Sequence, residues 1–291
     1  MSVCGIIRLA YDAHHHFSAE LEAVDPSAEA LVAAPTSGAR LVFGGPWPHP
    51  FLRPRGLACH PALGSAVLLA ESYAVHELAI DDTSPMRAAG VRVRPALSEC
   101  LGQAPDFLAG GLRAISLHCG TPPQGEEGGD DCVATLLGSA GHEALQCALR
   151  PGMGSAAERL RLYGGPWRSL AVGPSSTFWA VKDGHDAIVQ LQPRPGTIKE
   201  LLPEISVPHG AARNLTQMHV HGDAVVYGLA ATGRLHGWPL DGSAVRSWQA
   251  PRGRRLDGLC STRDRLYFAG TDLTDGAAKI WRSALPSELH H

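Results

Sequence analysis

Arg168-Ser169-Leu170-Ala171-Val172-Gly173, followed by Phe178-Trp179-Ala180-Val181 and then Ala187-Ile188-Val189-Gln190-Leu191, decides how the whole chain is read. Three short apolar runs are bounded by Gly, Ser, Asp or Pro, which is how buried β-strands read. The opening run returns as Arg55-Gly56-Leu57-Ala58-Cys59-His60, Arg113-Ala114-Ile115-Ser116-Leu117-His118, Arg213-Asn214-Leu215-Thr216-Gln217-Met218 and Asp257-Gly258-Leu259-Cys260-Ser261-Thr262. The second run returns at Ala66–Ala70, Cys132–Leu137, Ala224–Leu229 and Arg265–Ala269. The third returns at His76–Ile80, Ala144–Leu149, Leu235–Leu240 and Lys279–Ala284.

The repeat starts at 55, 113, 168, 213 and 257 are 58, 55, 45 and 44 residues apart. A four-stranded propeller blade takes about 40–50 residues. One blade is a twisted sheet with two apolar faces and is not stable alone; radial stacking buries both faces. The expected fold is therefore all-β: a single β-propeller over 1–291, with six blades preferred, five or seven as alternatives, and incomplete terminal blades. The approximate blades are 1–50, 51–110, 111–165, 166–210, 211–254 and 255–286. Gly5–Leu9, Ala19–Val24 and Leu41–Phe43 resemble the last three strands of a blade, and after Ala284 the chain ends one strand short. Arg40-Leu41-Val42-Phe43-Gly44-Gly45-Pro46-Trp47 and Arg161-Leu162-Tyr163-Gly164-Gly165-Pro166-Trp167 each precede a repeat start, so the twins occupy one position in the plan. Gly120–Asp131, rich in Gly, Pro and acid, is a solvated turn that lengthens one copy. Only Ser155–Leu162 and Ser287–His291 invite a helical turn.

The formal net charge of −3 argues against bulk binding of nucleic acid. Lysine occurs only at Lys182, Lys199 and Lys279, and the excess of Arg matches the Ala, Gly and Pro content of GC-rich coding. The seven cysteines form no C-x-x-C pair, and most sit in apolar runs where free Cys acts as a small hydrophobe. They point to a reducing compartment without disulfides, and so to the cytoplasm; the chain is expected to be a monomer. No run approaches the roughly 20 apolar residues of a membrane span, and Met1–Arg8 lacks the features of a signal peptide.

In a propeller the first strand of each blade lines the central channel, so equivalent residues form a ring. Arg55, Arg113, Arg168, Arg213 and Asp257 would share one mouth, with Glu71, Lys182 and Asp272 near them at second-strand ends. Guanidinium groups in a ring offer planar, forked donors to carboxylate or phosphate. Alternatively, each Arg pairs with a neighbouring carboxylate or carbonyl and stabilises the seam between blades. His219-Val220-His221-Gly222-Asp223 places two imidazoles at i and i+2, one face of a strand, within reach of one metal. The plainer account makes it a polar turn with exposed histidines. Leu137-Gly138-Ser139-Ala140-Gly141 lacks the first Gly of a nucleophile elbow.

Trp167–Gln192 resembles an NHL-type repeat of six-bladed propellers. Asp257-Gly258-Leu259-Cys260 with Arg265-Leu266-Tyr267-Phe268-Ala269 resembles the regucalcin and gluconolactonase propellers. That resemblance implies a metal-ligating Asp257 that takes part in lactone hydrolysis, assisted by Glu71 or Asp272. The family also asks for a Glu and an Asn at other inner-strand starts; here the preceding start is Arg213, and Asn214 is one residue out of register. Thr232-Gly233-Arg234-Leu235-His236-Gly237-Trp238 is similar to a regulator-of-chromosome-condensation repeat, in one blade alone. His219–Asp223 is similar to the H-x-H-x-D-H of metallo-β-lactamase-like hydrolases but has Ala224 in place of the last His.

Together these observations favour an interaction module with no catalytic residues, metal or cofactor, binding a protein or an anionic small molecule at an Arg-lined mouth. The alternative is a metal-dependent, lactonase-like hydrolase or lyase with Asp257 in the channel.

Overall fold

The computed structural model describes residues 40–43, 54–59, 66–70, 73–79, 89–92, 95–120, 131–149, 157–173, 177–182, 184–185, 187–193, 200–208, 212, 214–222, 225–230, 233–239, 246–249, 253–276 and 278–285. The strands fall into five four-stranded antiparallel units, of which the second and third are joined into one eight-stranded sheet by a short parallel pairing of Glu200 and Leu201 with Arg161 and Leu162. The first holds β2 (Gly56–Cys59), β3 (Ala66–Ala70), β4 (Val75–Ala79) and β5 (Ala89–Arg92). The second holds β6 (Leu112–Gly120), β7 (Asp131–Gly138), β8 (Glu143–Ala148) and β9 (Glu158–Leu162). The third holds β10 (Trp167–Val172), β11 (Phe178–Lys182), β12 (Ala187–Pro193) and β13 (Glu200–Pro208). The fourth runs β14 (Leu215–His221), β15 (Val225–Ala230), β16 (Arg234–Pro239) and β17 (Arg246–Gln249). The fifth runs β18 (Arg254–Ser261), β19 (Arg265–Asp272) and β20 (Ala278–Ala284), and its outer strand is β1 (Arg40–Phe43).

The inner strands β2, β6, β10, β14 and β18 each pack on the next, and β18 packs back on β2. That closed circuit is a propeller. The described strands make five blades, one of the alternatives to six. The strand that the last copy lacks comes from the other end of the sequence: Arg40 pairs with Arg282 and Leu41 with Trp281. Leu41–Phe43 therefore belongs to the final blade and does not end a separate one. The twin segments do share a position, because β1 and β9 are both outer strands. Gly5–Leu9 and Ala19–Val24 lie outside the described residues.

Strand alternation explains how both faces of each sheet are used. Leu57 and Cys59 face the fifth blade and pack with Tyr267, Ala269 and Ile280. Ala58 faces the other way, into a cluster with Ile115, Leu117 and Leu136 of the second blade. Further clusters fill the seams between blades two and three, three and four, and four and five. The helices α1 (Pro95–Gly102) and α2 (Pro105–Ala109) lie between the first two blades. Leu97, Cys100 and Phe107 extend that seam's core. Both helices escaped the sequence reading because they are short and start at Pro, a residue that reads as a breaker until it sits in a first helical turn. Glu158–Leu162, read as part of a helical turn, is strand β9, and Ser287–His291 lies outside the described residues.

One irregularity recurs and sets the register. The ladder between the first two strands of a blade is bulged at Arg113, Arg168, Thr216 and Asp257. The fourth copy is thus aligned on Thr216 and not on Arg213, which lies outside the described residues. The residues just after the bulge are Ala114, Ser169, Gln217 and Gly258, with Gly56 at the matching place in β2. Four are small because the inner strands converge here. A Cβ on Gly56 would stand 3.0 Å from the Ile115 nitrogen, and one on Gly258 the same distance from that of Leu57.

The exception, Gln217, fills the axis and is fully buried. Its Oε1 accepts from the N–H groups of Leu57 (3.3 Å) and Leu259 (3.0 Å). Its Nε2 donates to the carbonyls of Leu57 (3.0 Å), Leu259 (3.2 Å) and Ile115 (3.4 Å). An inner strand has one ladder edge unpaired, and buried backbone groups there need partners. One amide from β14 supplies them to three strands. Ser116 and Ser169 do the same locally, their hydroxyls accepting from the N–H groups of Val172 and Met218 at 2.9 Å.

The cysteines are paired, which corrects the expectation of free thiols. Cys59–Cys260 joins β2 to β18 across 201 residues of chain and so closes the ring covalently. Cys100–Cys147 ties α1 to β8, and Cys119–Cys132 joins facing positions of β6 and β7. Buried Cys in an apolar run looks the same in sequence whether reduced or bonded, because the partners are brought together by blade stacking. Cys4 lies outside the described residues.

Two outcomes follow for this frame. Peptide mapping after iodoacetamide, without reductant, should find Cys59, Cys100, Cys119, Cys132, Cys147 and Cys260 unmodified, and all six alkylated after reduction and unfolding. Gln217→Leu should lower the unfolding free energy in urea by about 3 kcal/mol, since each orphaned buried group costs roughly 1–3 kcal/mol. A change within about 0.5 kcal/mol would show that water serves these edges as well.

Candidate functional site

The channel has two mouths, separated by Gln217. At the inner-strand starts stand Arg55, Arg113, Arg168 and Asp257, with Thr216 at the matching place in the fourth blade. Arg113 donates from Nη1 to the Trp167 carbonyl at 3.0 Å, and Arg168 donates from Nη1 to the Leu215 carbonyl at 3.2 Å. These two acceptors precede the bulges of the next inner strands, so each arginine reaches across one seam in the same way. The Arg55 N–H bonds the Ala70 carbonyl at 2.8 Å. At the fifth blade, Asp257 accepts from Arg255 Nε at 3.0 Å. Lys182 stands opposite Trp167 at the end of β11, half-buried. Arg213 and Glu71 lie outside the described residues.

Asp272 is engaged within its own blade. It accepts from Lys279 Nζ at 2.7 Å and from the Thr274 N–H at 2.8 Å. Burial works against its charge, yet Lys279 and that N–H outweigh it and hold the carboxyl below its ordinary pKa. Lys279 is pulled down by burial but raised overall by Asp272 and Asp275. The cluster clamps the β19–β20 turn.

The opposite mouth, where the inner strands end, holds a cavity of about 300 Å³. Its lining includes His118, His219, His221, Ser261, Thr262 and Arg263, over a floor of Cys59, Leu117 and Val172. Here the plainer account of the histidine pair is corrected: His219 and His221 are on β14, His219 buried and His221 half-buried. As i, i+2 residues they share a face, and both meet one hydroxyl. Ser261 Oγ is 2.7 Å from His219 Nε2 and 2.7 Å from His221 Nδ1. Ser261 belongs to β18, so the trio bridges the seam between blades four and five. Burial holds the His118 pKa below its ordinary value. Among the described residues, no group of three or more His, Cys, Asp or Glu side chains is gathered to hold a metal ion.

Sequence reading singled out His219 and His221 but missed Ser261. The signal was present: Ser261 follows Leu259-Cys260 at the end of a repeat opening. It became visible only once the fourth copy was shifted to Thr216, which sets His219 beside Cys260 in the register and so across the seam from Ser261.

No helix among the described residues is long and apolar enough to cross a membrane. No protein-family model and no curated protein matches the sequence. Solved structures that resemble the chain include the PQQ-bound form of an aldose sugar dehydrogenase from Streptomyces coelicolor, with 15% identity, 84% of this chain and 97% of that one covered, and a TM-score of 0.41. YCF48 from Cyanidioschyzon merolae gives 12% identity, coverage of 76% and 66%, and a TM-score of 0.42. A streptogramin B lyase gives 10% identity, coverage of 80% and 69%, and a TM-score of 0.38. At such values the likeness carries no argument about ligand or chemistry, and the propeller rests on the strands and their closed ring.

Proposed function

We propose that this propeller is a recognition module that seats an anionic ligand, a polycarboxylate or an acidic segment of a partner protein, in the cavity at the inner-strand ends. The observation that carries this is the lining. Three histidines and Arg263 line one concavity, and no carboxylate stands among its described lining residues. Arginine suits carboxylate recognition because its donors are planar and forked. Imidazole N–H groups add further hydrogen-bond donors. A concave site with a few convergent polar groups over an apolar floor is the usual form of a ligand seat.

The arginine-bearing mouth is the second reading, favoured by the repeated placement of Arg113 and Arg168. Each already spends a donor on a seam carbonyl, so it ranks lower. The lactonase-like alternative has less to build on, since Asp257 is held by Arg255. Millimolar calcium, zinc or manganese should leave the melting temperature unchanged; a rise would revive it by mass action. The disulfides favour a compartment that oxidises thiols over the cytoplasm.

Calorimetric titration with citrate and with hexaglutamate tests the seat. Both should bind, and Arg263→Ser should weaken them about tenfold, the equivalent of one charge-assisted contact. Arg168→Gln, at the far mouth, should leave the affinity unchanged. Loss on Arg168→Gln with Arg263→Ser silent would move the ligand to the other mouth. Binding of neither anion would overturn the proposal.

A further inference from the structure

The Ser261 trio stands at a position where the fold asks for very little. Counted from the bulge, His219 matches Ala58, Ser116, Ala171 and Cys260, while Ser261 matches Cys59, Leu117, Val172 and Val220. At this level each seam is closed by one residue from each set. Ala58 and Leu117 share one seam cluster, and Ala171 and Val220 share another. Ser116 accepts from the backbone of Val172, and Cys260 is bonded to Cys59. Alanine against leucine or valine therefore suffices to close a seam. The blade four–five seam instead holds a serine between two imidazoles, one of them buried, at the wall of the cavity. Buried polar groups carry a desolvation cost that an apolar pair avoids, so packing alone does not account for them.

The chemistry of the trio is specific. A serine hydroxyl has one proton. With both imidazole nitrogens at 2.7 Å, one accepts that proton and the other donates its N–H to Oγ. The acceptor is a general base in contact with a nucleophile, the arrangement that activates serine. The donor stabilises negative charge on Oγ once the proton has left. Arg263 lines the same cavity.

We propose that Ser261 is a nucleophile toward carboxylic esters that enter the cavity. Ser261 Oγ attacks the carbonyl carbon, forming a C–O bond, while its proton passes to the accepting imidazole. The tetrahedral adduct collapses, the bond to the leaving alcohol breaks, and the alcohol oxygen takes the proton from the imidazolium. Water then attacks the acyl-serine by the same route, its proton passing to the imidazole and on to Oγ, which releases the carboxylic acid. His219 and His221 serve as base and as hydrogen-bond donor. The proposal shares the cavity of the recognition reading and adds turnover to it.

The test is covalent labelling of the full chain with a fluorophosphonate ester, followed by intact mass and peptide mapping. One phosphonyl adduct is expected at Ser261, absent in Ser261→Ala. His219→Gln and His221→Gln should each slow labelling at least tenfold in protein whose melting temperature is retained. Absence of an adduct on Ser261 in the folded wild type at millimolar probe overturns the proposal, as does labelling of both His variants at the wild-type rate. Citrate titration of the same samples separates the two readings. Citrate bound without an adduct removes the nucleophile alone, and an adduct without citrate binding removes the anionic seat alone.

Discussion

Five strand edges point at one axis, and their unpaired backbone groups have to be satisfied without water at the level where they crowd together. That constraint organises the molecule. Four of the five positions facing the convergence are Gly56, Ala114, Ser169 and Gly258, small enough for the strands to approach. The fifth is Gln217, whose primary amide offers an acceptor and two donors in a plane. It bonds β2, β6 and β18 from its place on β14. The blades thus share a hydrogen-bonded hub as well as their apolar seams. A glutamate would lack the donors, and an aliphatic residue would lack both functions.

The hub also makes the two mouths distinct. Below it, Arg113 and Arg168 extend the same stitching outward by reaching the carbonyls that open the next inner strands. Above it the strands diverge, and the space between them becomes the cavity. The first and last parts of the described chain are joined by different means. Outer strand β1 completes the last blade by hydrogen bonding, and Cys59–Cys260 ties the first inner strand to the last. The trio of Ser261, His219 and His221 stands one seam away from that disulfide, at the matching level. One circle of equivalent positions therefore holds a covalent clasp, two plain apolar contacts, a serine–backbone bond and a reactive-looking polar group.

The architecture was legible because blade strands are local. The second and third runs of each copy, such as Ala66–Ala70 and Ala187–Leu191, coincide with strands β3 and β12 or nearly so. What depended on closure was not legible. Leu41–Phe43 looked like part of a separate blade because its partner, Trp281, is at the far end of the sequence. Cys59 and Cys260 looked like hydrophobes for the same reason. The fourth copy was misaligned because Arg213 imitated the arginine of other copies, whereas the bulge is at Thr216. That three-residue slip hid both the uniqueness of Gln217 and the meeting of His219 with Ser261. Chemistry built across a seam is written in register, and register is fixed by hydrogen bonds that the sequence does not display.

Native-state hydrogen exchange at the Leu57 and Leu259 amides probes the hub most directly. Both N–H groups face the axis and neither is part of its strand's ladder to the next strand in the blade, so an open, watered channel would leave them exchanging freely. Held by Gln217, they should exchange only through global unfolding, as slowly as amides in the middle of β7. Rapid exchange of both amides in the folded protein would contradict the account.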